Sequence, residues 1–123
     1  MFYSIEELKE IEIALAKRVV DASRWQDAAA TELVIDIPAG ETWVIEEITV
    51  QNLGAVSVLD FYNALVAGVL EANHKVSVDA KATDTTVVTG LRAVFSVAIS
   101  VAASVCAAPH NLKIHVGGYK ILP

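Results

Sequence analysis

One cysteine, three prolines and 7% aromatic residues in 123 positions are the scarcities that first narrow this sequence. A lone Cys106 closes no internal disulfide, so the fold carries no oxidative staple and requires no oxidising compartment. Cys106 lies in an apolar run and is expected to act as a small buried hydrophobe. Basic residues are also few. Nine Lys and Arg face fifteen Asp and Glu, the net charge is −6 and the pI is about 4.9. Lys17-Arg18 is the only adjacent basic pair. Nucleic acid and anionic membranes both select a basic footprint, so neither is expected as a partner. Met1 to Glu7 lacks the basic and apolar regions of a signal peptide. The longest uncharged stretch, Ala93 to Pro109, falls short of the ~20 apolar residues of a spanning helix and is rich in β-branched residues. It reads as a buried strand pair.

What is abundant is aliphatic. Hydrophobic residues make up 54% of the chain, with Val and Ala dominant, and Val favours a pleated, half-buried surface. The length suits one domain that buries roughly two-thirds of its unfolded surface. Residues 4 to 23 read as a helix. Ser4 is the expected N-cap, Glu7 completes a capping box, and Lys17 and Arg18 suit the far end of the dipole. Ile5, Leu8, Ile11, Leu15 and Val19 form one apolar stripe, with Ile13 and Val20 beside it. Periodicity alone leaves two partners open for that stripe: the chain's own sandwich or a neighbouring subunit. Residues 23 to 31 read as a connector, and its Trp25 is an expected inter-subunit contact because Trp is enriched at interfaces.

From Leu33 the pattern changes to period two. Leu33, Ile35 and Ile37 share a face, Pro38-Ala39-Gly40 is turn chemistry, and Trp43 to Val50 is a strand whose phase slips at Glu46-Glu47, as a bulge requires. The two runs around the turn are expected to form a hairpin. Further strands are expected at 56–62, 75–79, 85–89, 91–101 and 112–122, while 65–70 fits a strand or a short helix. About seven to nine short strands define an antiparallel β-sandwich, jelly-roll-like, with an N-terminal amphipathic helix. The expected division is a helix-and-connector arm over 1–31 and a β-sandwich over 32–123.

Catalytic patterns are missing. His74, His110 and His115 have no helical metal spacing, and a His110/His115 site would need Cys106 as third ligand. No Gly-x-Ser-x-Gly elbow occurs, and Gly117-Gly118 lacks phosphate-loop spacing. Asp79 and Asp84 lack dense calcium-ligand spacing. The expectation is a non-enzyme without metal or cofactor. Trp25, Trp43, Phe61 and Tyr62 are the aromatics available for a sugar platform, with Trp43 placed at the core instead.

The run Pro38-Ala39-Gly40-Glu41-Thr42-Trp43, leading into a strand that ends Ile48-Thr49-Val50-Gln51-Asn52, resembles the opening of small β-sandwich domains of tailed-phage structural proteins. These are head decoration or cement proteins, head fibres and tail-fibre tips. Asn111 to Tyr119 looks like their closing strand. The middle departs from that pattern: it has Thr89-Gly90-Leu91 and no Gly-Asp turn. The resemblance implies a virion structural subunit, often trimeric, located on the virion. Its implied partners are further copies and a major capsid or other virion protein. The alternative from a different class is a carbohydrate- or receptor-binding module of a phage fibre or tail, using Trp25 and Tyr62.

Overall fold

The computed structural model describes residues 3–16, 19–27, 32–66, 71–106, 108 and 110–121, with side chains outside 11–16. Among them are one α-helix, α1 (Ile5–Ala16), one short 3-10 helix (Glu71–Asn73) and nine strands. These are β1 (Val19–Trp25), β2 (Leu33–Asp36), β3 (Thr42–Asn52), β4 (Ser57–Asn63), β5 (His74–Ala80), β6 (Thr85–Val88), β7 (Ala93–Phe95), β8 (Ala98–Ala103) and β9 (Leu112–Ile121).

The strands form two antiparallel sheets. One runs β1-β9-β3-β6, with β7 also on β3; the other runs β2-β8-β4-β5. β6 pairs with Ile48–Gln51 and β7 with Trp43–Ile45, so they are two halves of one interrupted strand along β3. Counted that way there are four strands in each sheet. The chain alternates between sheets at every connection except β4–β5, which is the jelly-roll order. The inward faces meet in one core that includes Leu33, Ile35, Trp43, Ile45, Ile48, Leu59, Phe61, Phe95, Ile99 and Ile114. Full burial of each such side chain contributes about 1.5–3 kcal/mol.

The N-cap is present: the Glu7 amide donates to Ser4 Oγ at 3.1 Å. The helix is shorter than its sequence pattern, however. Val19–Trp25 is a strand of the sheet and not part of the arm or connector. Val20 drops into the core, and β1 gains a full ladder on β9 from Val19↔Tyr119 to Trp25↔Lys113, which outweighs a helical continuation. Lys17 and Arg18 lie outside the described residues, as do 67–70.

The Pro38-Ala39-Gly40 turn forms as expected, with Gly40 at φ 83° and the Glu41 amide donating to Pro38 O at 3.1 Å. It does not make a hairpin. β2 pairs with β8 while β3 pairs with β9. Pro38 has no N–H with which to start a ladder, and buried Ile37 carries the chain across the core from one sheet to the other. The bulge also forms: the β3–β9 register shifts between Ile45 and Glu47, and the Glu46 carbonyl accepts the Leu91 amide at 2.9 Å from the excursion between β6 and β7. Residues 91–101 are not one strand. They divide at Ser96-Val97 into β7 and β8, which belong to different sheets. No helix among the described residues is long and apolar enough to cross a membrane.

Candidate functional site

The outward face of the β1-β9-β3-β6/β7 sheet is ordered in rows, because cross-strand partners point the same way. Trp25, Lys113, Gln51 and Thr85 form one row. Ser23, His115, Thr49 and Val87 form the next. Asp21, Gly117 and Glu47 follow, beside the bulge residue Glu46. The last row is apolar: Val19, Tyr119, Val44 and Val94.

Two open depressions lie along these rows and share His115. One, of about 480 Å³, is bordered by Asp21, Glu46, Glu47, Thr89 and the glycines 117 and 118. The other, of about 270 Å³, is bordered by Ser23, Thr49, Gln51, Thr85 and Lys113. The glycines belong to the larger one. A Cβ on Gly117 would stand 2.5 Å from Glu47 Oε1, so only glycine lets the Glu47 side chain lie across β9.

His115 joins the two depressions chemically. Its Nδ1 faces Ser23 Oγ at 2.6 Å and its Nε2 faces Asp21 Oδ1 at 3.0 Å. Acyl-transfer triads use these residue types, but they orient the imidazole with a buried carboxylate and gather oxyanion donors around the scissile group. The Asp21 side chain is 74% exposed, and β9, which carries His115, is paired along its backbone with β1 on one side and β3 on the other. The arrangement is a surface hydrogen-bond network that presents donors and acceptors outward.

At the far end Lys113 Nζ lies 5.6 Å from the centroid of the half-buried Trp25 ring, and His110 meets the ring edge-on at 6.5 Å. Tyr62 is elsewhere. It is buried, on the other sheet, with His74 edge-on at 5.3 Å. Burial, with Asp60 and Glu71 nearby, pushes its hydroxyl above the usual tyrosine value. Trp25 and Tyr62 therefore make no common sugar platform. Beside Tyr62, the Ser77 hydroxyl donates to Asp60 Oδ1 at 2.5 Å and His74 Nε2 lies 3.1 Å from the same oxygen. Among the described residues no three His, Cys, Asp or Glu side chains converge to hold a metal ion. His110 sits against Trp25, whereas the Cys106 thiol donates to the Gln26 side-chain carbonyl at the core margin.

The expected contact residues separate into groups. Ile5 and Leu8 lie on α1 and are 73% and 51% exposed, and among the helix side chains described, residues 5 to 10, none joins the core. The side chains of Ile11 and Leu15 lie outside the described residues. Val19 is on the outward face of β1, next to Tyr119, and Trp25 ends the same strand. Asp21 and Ser23 escaped sequence reasoning because a helix was expected there. Their signal was the alternation of Asp21, Ser23 and Trp25 with Val20 and Ala22. Neither protein-family models nor curated proteins match this sequence.

Proposed function

We propose that this chain is a non-catalytic structural subunit of a virion, which decorates or cements a shell by burying apolar surface against neighbouring subunits. The observation that carries this reading is the arm. α1 presents Ile5 and Leu8 to solvent, and none of its described side chains, residues 5 to 10, joins the core of its own sandwich. Of the two partners the stripe allows, a neighbouring subunit is therefore favoured. Apolar burial is worth about 25 cal/mol per Å², less the cost of ordering, and many weak copies on one lattice add through avidity. The phage-type wording of residues 38–52 and 111–119 supplies the setting. The partners are further copies of the chain, as a trimer, and a major capsid protein.

The test is the solution mass by light scattering of the wild type and of the Ile5→Glu/Leu8→Glu double variant. A trimer that becomes a folded monomer in the variant is the expected result. A variant that associates as the wild type does removes the arm from the mechanism.

A further inference from the structure

We infer that the outward face of the β1-β9-β3-β6 sheet is a binding site for a neutral oligosaccharide laid along β9. This goes beyond the assembly role and does not depend on it. The two depressions meet at His115, and the rows from Lys113 to Tyr119 extend over about 20 Å at the strand rise of roughly 3.4 Å per residue. That is long enough for several sugar rings end to end.

The lining selects the ligand by elimination. Asp21, Glu46 and Glu47 repel phosphate and anionic sugars, which excludes nucleic acid and sialylated or uronic chains. The backbone of β9 is paired on both sides, so a peptide laid along β9 would gain no backbone ladder there. A metal ion would need a third converging ligand, which the described residues do not supply. An apolar ligand would leave carboxylates and amides buried without partners. A hydroxyl-rich neutral chain satisfies the whole set. Its hydroxyls donate to Asp21 and Glu47 and accept from Thr49 and Lys113, while Gln51 serves either way and His115 holds Asp21 and Ser23 in place. Placement on paired strands holds these groups in register before the ligand arrives.

The experiment is an amide NMR titration of the full chain with maltohexaose, cellohexaose and chitohexaose, and with sialyllactose as the anionic probe. At least one neutral hexasaccharide is expected to shift the amides of Ser23, Thr49, His115 and Gly117, with a Kd between about 10 μM and 1 mM. Asp21→Ala and His115→Ala, which alter outward-facing residues, are each expected to weaken binding about tenfold while keeping the dispersed spectrum of the folded chain. The proposal is overturned if no neutral hexasaccharide moves these amides at about 10 mM. It is equally overturned if the shifts map to the other sheet, if sialyllactose binds as tightly, or if both variants bind as the wild type does.

Discussion

At position 118 the chain has room for a hydrogen atom and nothing larger. A Cβ there would stand 1.9 Å from the Val44 carbonyl oxygen and 3.0 Å from the Ile45 Cα, both backbone atoms held by the β3 ladder. At the neighbouring Gly117 the obstacle is the Glu47 side chain, which can swing toward solvent. The two glycines look equivalent in the sequence, yet their substitutions separate. Gly118→Ala is expected to cost about 3 kcal/mol or more, because the β3–β9 pairing itself has to shift. Gly117→Ala is expected to cost under about 1 kcal/mol. Urea unfolding midpoints of the two variants check this, and equal losses would mean that Glu47 is as immobile as the backbone.

Asn63, the last residue of β4, pins the point where the chain changes sheets. Its Oδ1 accepts the amides of Ser96 and Val97, each at 2.9 Å, and its Nδ2 donates to Ser96 Oγ at 3.2 Å. Asn63→Ala is expected to cost about 1–2 kcal/mol, and Asn63→Asp, which keeps the two accepted bonds, clearly less. Thermal unfolding of both variants distinguishes these outcomes, and an unchanged Asn63→Ala midpoint would mean that water replaces the clamp. The same junction explains why the sequence misleads here. Ala93, Phe95, Ile99 and Val101 all face inward, so the odd positions stay apolar on both sides of the crossover and the period never breaks. Val97, exposed at the bend, is the only inconsistent member, and exposure is not written in residue type. The helix failed in a related way, since Val19 falls four residues after Leu15 and extends the stripe by coincidence. Features governed by neighbours in sequence were legible: the Ser4 cap, the Pro38–Glu41 turn and the Glu46-Glu47 bulge. The Asp21–Ser23–His115 network was not, because His115 sits 92 positions from Ser23, and farther still from Asp21, and meets them only through pairing of β1 with β9.

For the molecule as a whole, two groups set the flanks of its pH stability. The Lys120 ammonium, 2.8 Å from Glu41 Oε1, holds the Glu41 carboxyl below its ordinary 4.5 although partial burial opposes it. That contribution is complete above about pH 4.5 and is lost as pH falls through the lower folded value. Tyr62 acts in the opposite sense. Its raised value keeps it neutral in the fold, so its contribution is complete below about pH 10 and is lost as pH rises beyond that. Urea midpoints across pH are expected to fall less steeply on the acid side in Lys120→Met and less steeply on the alkaline side in Tyr62→Phe. Parallel curves for wild type and variants would assign those flanks to other groups. The placement of β9 has a different consequence, in time. β1 and β3 do not pair with each other; each pairs with β9, which lies between them. Until residues 112–121 leave the ribosome, β1 has no ladder and β3 has an open edge. Only the β4–β5 pair joins strands consecutive in the chain and has its partner close at hand during synthesis. Topologies this non-local fold over about milliseconds to seconds, with unpaired edges open to wrong partners meanwhile. The yield of native protein is then decided by a race between the arrival of β9 and the capture of exposed edges, before equilibrium stability has any bearing.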